Sequence, residues 1–198
     1  MATSTHGHDP ATSAHLVLLL SQEHLAQGIQ RLARHIREDY QGCNPLLVGV
    51  LKGAFIFLAD LVRALHIPLE IDFVRVATYG AATHPSAPAR VLSGVRLSPR
   101  GRHVLVVEDI VDTGFTTQAV LTYLKRFSPL TLRTCVLLDK PSCRRVEVPI
   151  HYLGFTLPDR FVVGYGLDKG EAYRWLPAIY ALEEGDHEPA APHRRGTG

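Results

Sequence analysis

The residues best placed to do chemistry fall in one stretch, VLVVEDIVDTGFTTQ, residues 104–118. Four branched apolar residues run into Glu108 and Asp109, a third carboxylate, Asp112, follows, and then comes a turn of Thr113, Gly114, Phe115, Thr116 and Thr117. The apolar run predicts a strand buried on both faces, which puts the acids at its carboxyl end, where open parallel sheets bind ligands. The glycine-containing turn offers three hydroxyls and the free amides of a starting helix, a cradle for a phosphate group. The acids beside it repel such a group. Two unit charges about 4 Å apart interact by about 4 kcal/mol at an effective dielectric near 20. A divalent cation removes the conflict, and carboxylates also accept hydrogen bonds from sugar hydroxyls.

One ligand answers every feature: a phosphorylated ribose diphosphate, with phosphate at one end, the ribose diol in the middle and a metal-bound pyrophosphate beyond. The plainer alternative makes Asp112 a helix N-cap and Glu108 and Asp109 solvated strand-end residues. Capping alone leaves two acids beside a buried strand unexplained. A nucleoside-triphosphate P-loop fits worse, because its Gly-Lys-Ser/Thr ending is absent and no lysine follows Gly114 in the turn.

The elements that must position this stretch alternate. Ser21 is a predicted N-cap for a helix in which Leu25, Ile29, Leu32, Ala33 and Ile36 recur at helical spacing, ending near Gly42. A buried strand, LLVGVL, precedes a helix through AFIFLADLVRAL, and LEIDFVRVATY reads as the next strand. GAATHPSAPARVLSG, with small residues and two prolines, Pro85 and Pro88, reads as a long exposed loop beside a short hairpin. After HVLVVED come a helix near TTQAVLTYLKRF, a strand in TLRTCVLLDK, and shorter pieces in HYLGF and FVVGYGL. Strands alternating with helices, and running apolar rather than in-out, predict a largely parallel sheet covered on both faces. No repeat of fixed period is present.

A chain of 198 residues with 46% hydrophobic content is long enough for one domain with a full core. Twenty-one Lys and Arg against 19 acids, formally +2, is too balanced to point to nucleic acid or a membrane surface. Three cysteines without a C-x-x-C pair suggest neither a disulfide framework nor a zinc ribbon, and suit a reducing cytoplasm. The LVLLL run is too short for a membrane span and has no basic residue before it, so neither export nor an anchor is expected. Residues 1–14 and 183–198 are small and polar and read as loose tails around a domain spanning 15–182. His6, His8 and Asp9 have no fixed geometry to make a metal site.

The stretch VLVVEDIVDTGFTT resembles the phosphoribosyl-diphosphate signature of type I phosphoribosyltransferases, and the chain from about LLSQEHL to YALEE is similar to their hypoxanthine-guanine branch. The resemblance implies an α/β fold with a central, mainly parallel sheet flanked by helices and a small hood formed by the N- and C-terminal segments. It places Glu108, Asp109, Asp112, Thr113, Gly114, Phe115 and Thr116 against ribose and 5-phosphate. In LKG, Leu51 to Gly53, it implies a cis peptide between Leu51 and Lys52 that turns backbone amides toward pyrophosphate, with Arg174 helping to hold that group. In LLDK, Lys140 matches the lysine that contacts the exocyclic oxygen of a 6-oxopurine. In PDRFVVGYGLD, Phe161 matches the aromatic that stacks on the base, Val162 supplies backbone polar groups, and Asp168 lies near the purine 2-position and the metal. Thr78 and Tyr79 stand where the family has Ser-Tyr at the opening of a mobile loop that excludes water. Read without the resemblance, Lys52 and Lys140 are surface lysines and Phe161 a packed strand aromatic. Gly164, Gly166 and Gly170 are one residue too widely spaced for a dinucleotide fingerprint.

What the resemblance implies is purine salvage: transfer of 5-phosphoribosyl from its diphosphate to N9 of hypoxanthine or guanine, giving the nucleotide and pyrophosphate. Magnesium on Glu108, Asp109 and Asp168 suits this chemistry, since it retains water and uses few carboxylates. Asp112 is the expected acid/base group, exchanging a proton with purine N7. Partners are small substrates, with no nucleic acid or membrane, and a homodimer or homotetramer is implied. A regulatory RNA-binding protein on the same fold would need a basic face with interleaved aromatics. A catalytically silent relative would not need Asp112 and Lys140. Preference among hypoxanthine, guanine and xanthine stays open.

Overall fold

The computed structural model describes residues 14–78 and 89–184. Most of both expected tails, Tyr79 and the two loop prolines lie outside these residues. The chain runs β1 (Ala14–Leu20), α1 (Gln22–Tyr40), β2 (Leu46–Leu51), α2 (Phe55–Leu65), β3 (Glu70–Thr78), β4 (Ala89–Ser93), β5 (His103–Val111), α3 (Phe115–Lys125), β6 (Thr131–Asp139), a short 3₁₀ turn at Pro141–Cys143, β7 (Tyr152–Thr156), β8 (Val162–Val163) and β9 (Ile179–Glu184). Ser21 caps α1 as its sequence predicts, its hydroxyl accepting from the His24 amide at 3.3 Å. The apolar stripe of α1, Leu25, Ile29, Leu32, Ala33 and Ile36, is fully buried.

The main sheet has the order β4-β3-β2-β5-β6-β7. All its pairings are parallel except β3 with β4, which close the expected hairpin at the sheet edge. Both faces are covered, which explains the near-continuous apolar strands. On one face α1 and α2 pack Ile29, Leu32, Phe57 and Leu61 against Leu47, Leu105 and Leu137. On the other, α3 packs Val120, Leu121 and Leu124 against Leu46, Val48, Val104 and Val106. Strand alternation sorts the residues: Val104 and Val106 face α3, while Leu105 and Val107 face α1 and α2.

The hood is a separate three-stranded antiparallel sheet in the order β1-β9-β8. It joins the first described residues to the last, Ala14 opposite Glu184. Val162 and Ile179 sink into the α1–α2 cluster and tie the hood to the main sheet. Its strands run slightly past the expected limits of 15 and 182, and the apolar LVLLL run is one of them.

Candidate active site

The carboxyl ends of the parallel strands converge on one edge, and each carries part of the site. β5 runs two residues further than HVLVVED suggests, through Ile110 and Val111, so Glu108 and Asp109 lie within the strand rather than beyond it. Alternation then parts them. Glu108 follows Val104 and Val106 to the α3 face, is 3% exposed, and accepts a 2.5 Å hydrogen bond from the Thr117 hydroxyl. Burial pushes its carboxyl up to about 8, opposed by the Thr117 hydrogen bond and reinforced by the charge of Asp109. Asp109 points to the opposite side, toward Gly53.

Gly53 shows how closely the segment after β2 approaches β5 and the Gly166 turn. A Cβ built there would overlap the Asp109 carboxylate, with its Cγ 2.6 Å away, and one on Gly166 would fall on the Gly53 carbonyl oxygen. The peptide between Leu51 and Lys52 is cis. Arg174 donates to the Gly166 carbonyl at 2.7 Å and pairs with Asp168 at 2.8 Å, and its Nε is buried with no partner. Burial raises Asp109 to about 6, backbone amides and Arg174 pull it down, and Asp168 adds to the rise. Lys52 reaches across to Glu171 at 2.9 Å.

The turn after β5 forms the second group. Gly114 sits at φ +89°, a left-handed conformation suited to glycine, and begins α3 with no side-chain cap. Asp112 is therefore not spent on capping, contrary to the plainer alternative. Its side chain is 50% exposed and lies 3.9 Å from the Lys140 ammonium, itself only 6% exposed. Lys140 follows β6, and its amide bonds the Val111 carbonyl at 3.0 Å. Arg144 pairs with Asp139 and donates from Nε to the Asp112 carbonyl at 3.1 Å. The Arg145 and Val146 amides both donate to the Thr113 carbonyl, at 3.0 and 3.1 Å, and brace the turn before α3. Phe161 is 53% exposed, so it is not the packed aromatic that a strand position alone suggests. The next residue, Val162, is buried in β8. Thr78 closes β3 at the same edge.

Sequence comparison matches residues 18–169 to the phosphoribosyl transferase domain. The chain is 40% identical to a hypoxanthine-guanine phosphoribosyltransferase of Dictyostelium discoideum, over 84% of this chain and 95% of that one. It is 42% identical to one of Aquifex aeolicus, over 85% and 96%. A crystal structure of a hypoxanthine-guanine phosphoribosyltransferase from Bacillus anthracis, with HEPES in its active site, superposes with a TM-score of 0.79 at 38% identity, covering 84% of this chain and 98% of that one. The chain belongs to the phosphoribosyltransferase family, in its hypoxanthine-guanine branch.

Sequence reading missed several groups that shape this phosphoribosyltransferase site. Thr117 ends the signature and reads there only as a turn hydroxyl; its bond to Glu108 requires the helix to fold back over the strand. Arg144, Asp139 and Glu171 sit among ordinary charged residues with no spacing that would mark them. Cys143 lies beside Asp112 and Asp159. Desolvation and those two carboxylates push its thiol up to about 11, so it is protonated rather than nucleophilic at neutral pH. Among the described residues no group of three or more side chains is gathered to cage a metal. Asp109 and Asp168 nonetheless fit magnesium: both are hard oxygen donors, and the charge of Asp168 disfavours that of Asp109, a conflict that a cation relieves.

Proposed function

We propose that this enzyme transfers the 5-phosphoribosyl group from phosphoribosyl diphosphate to N9 of hypoxanthine or guanine, releasing pyrophosphate and forming IMP or GMP. The observation that carries the reading is the uncapped, half-exposed Asp112 beside the buried Lys140, at the strand edge where the phosphate turn begins. Lys140 has exchanged water for a buried site in which the Asp112 carboxylate lies 3.9 Å away, which favours an oxygen acceptor such as the purine 6-oxo group. Asp112 takes the proton of the base at N7 while N9 attacks, and the exposed face of Phe161 stacks on the ring. Val162 offers its backbone to the base, with Asp168 near the purine 2-position.

The amides of the turn from Thr113 to Thr116 hold the 5-phosphate at the start of α3. Glu108 and Asp109 serve the ribose, and the cis peptide at Leu51–Lys52, Gly53 and Arg174 serve pyrophosphate, for which the orphaned Arg174 Nε is a ready donor. Asp109 and Asp168 would hold magnesium, which would supply charge neutralisation to the leaving diphosphate. Glu108 was expected to share that role, but its bond to Thr117 directs it toward α3. Thr78 at the end of β3 and Tyr79, which lies outside the described residues, are the candidates for shielding the developing ribosyl cation from water.

The reaction is a purine salvage step, which we place in the cytoplasm, consistent with three free cysteines and with no described helix long and apolar enough to cross a membrane. A homodimer or homotetramer is the proposed assembly. Trp175, 79% exposed, and Phe55, 45% exposed, are among the exposed large apolar side chains, and light scattering checks the mass.

The test is nucleotide formation with magnesium and phosphoribosyl diphosphate, offering hypoxanthine, guanine, xanthine, adenine, uracil and orotate separately. Turnover confined to 6-oxopurines supports the reading; none with any base overturns it. Asp112→Asn is expected to lower kcat about 10²- to 10⁴-fold while diphosphate binding changes far less. Equal losses in both would reject Asp112 as the proton carrier.

A further inference from the structure

Glu171 occupies a position that the transfer reaction does not explain. Its carboxylate pairs with Lys52 at 2.9 Å through Oε1 and with Arg174 at 3.4 Å through Oε2. One carboxylate thus bridges the side chains of the two cationic residues assigned to pyrophosphate, one from the loop after β2 and one from the segment before β9. Its backbone is fixed as well: the Glu171 amide donates to Asp168 Oδ2 at 2.8 Å, and the residue sits at φ +71° in the bridged turn Lys169–Ala172.

The donors of Arg174 show what must yield when an anion arrives. Nη1 is taken by the Gly166 carbonyl at 2.7 Å, and Nη2 is shared between Asp168 at 2.8 Å and Glu171 at 3.4 Å. Among the described residues the buried Nε has no partner. A diphosphate seeking two parallel bonds from this guanidinium needs Nε and one further donor. Asp168 makes the shorter contact and is 28% exposed. Glu171 makes the longer one and is 65% exposed, so it is the partner that leaves at least cost.

We propose that Glu171 is an internal surrogate for pyrophosphate: it holds Lys52 and Arg174 in the empty enzyme and is displaced when the diphosphate binds, setting the affinity for diphosphate and the rate at which pyrophosphate is released. The proposal rests on the phosphoribosyl transfer described above. An exposed bridge of this kind is worth little, so the effect is a tuning of affinity: removing the charge should tighten diphosphate binding about two- to fivefold. Repulsion between the carboxylate and bound pyrophosphate adds in the same direction and is screened by salt.

The experiment is titration calorimetry of inorganic pyrophosphate with magnesium into the wild-type enzyme, Glu171→Gln and Glu171→Asp, alongside steady-state KM values for phosphoribosyl diphosphate and for the purine. Glu171→Gln keeps an oxygen facing Lys52 and loses only the charge. It is expected to lower Kd for pyrophosphate and KM for the diphosphate together, with the purine KM unmoved and the difference shrinking at high salt. Glu171→Asp should restore wild-type values in part. Unchanged or weaker pyrophosphate binding by Glu171→Gln, or a parallel change in the purine KM, overturns the proposal. If the wild-type enzyme itself binds no pyrophosphate, it is the transferase reading that fails, so the two failures are distinguishable.

Discussion

Glu108 offers the sharpest test of how the fold treats its own active-site charge. Its carboxyl is buried, bonded by Thr117, and raised by burial from 4.5 to about 8. Between those values the native protein retains a proton that the unfolded chain has released. Stability from this group is therefore fully present below about pH 4.5, falls as pH rises, and is gone above about pH 8. Each pH unit inside the window is worth about 1.4 kcal/mol, so the loss between pH 5 and 8 reaches about 4 kcal/mol. Glu108→Gln keeps an oxygen to accept from Thr117 and has no proton to lose. Urea unfolding without magnesium or substrate, followed from pH 5 to 8.5 at constant m-value, measures the difference. Variant and wild type should be within about 1 kcal/mol at pH 5, and the variant should gain steadily to near pH 8 and then level off. A difference that stays constant across the range would refute the claim that Glu108 is protonated in the native enzyme at neutral pH.

Gly53→Ala drives a methyl group into the Asp109 carboxylate, so kcat/KM for phosphoribosyl diphosphate should fall by about 10²-fold or more, while stability drops by about 1–3 kcal/mol; unchanged kinetics would show that Asp109 can move without consequence. Arg144→Met leaves the nearly buried Asp139 carboxylate unpaired and should cost about 3–5 kcal/mol in urea unfolding, much of it regained in the double variant with Asp139→Leu, whereas additive losses would deny the coupling. Ser21→Ala removes the cap of α1 and should lower stability by about 1 kcal/mol with no change in kcat, read by thermal melting and the turnover assay.

The sequence by itself determined the parts of this enzyme whose physics is local. The apolar runs LLVGVL and TLRTCVLLD become buried parallel strands, the 3.6-residue stripe of α1 becomes its core face, and the VEDIVDTG order puts acids and a glycine turn at the carboxyl end of β5. Motif resemblance extended that reading to Lys140, Phe161, Asp168 and Arg174, which lie in segments remote from the signature. The tertiary structure decided what depends on which distant segments meet. β5 outruns its apolar stretch, so alternation sends Glu108 under α3 and Asp109 against Gly53, although the two are chain neighbours. The hood pairs Ala14 with Glu184, and of the apolar piece FVVGYGL only Val162–Val163 becomes a strand, paired with β9 rather than with the main sheet. Arg144 reaches the Asp112 carbonyl, and Glu171 spans Lys52 and Arg174, because chain closure brings those segments together. Residue type and spacing reveal what a segment can do alone; burial, pairing and the resulting shifts in proton affinity exist only once the distant segments are packed.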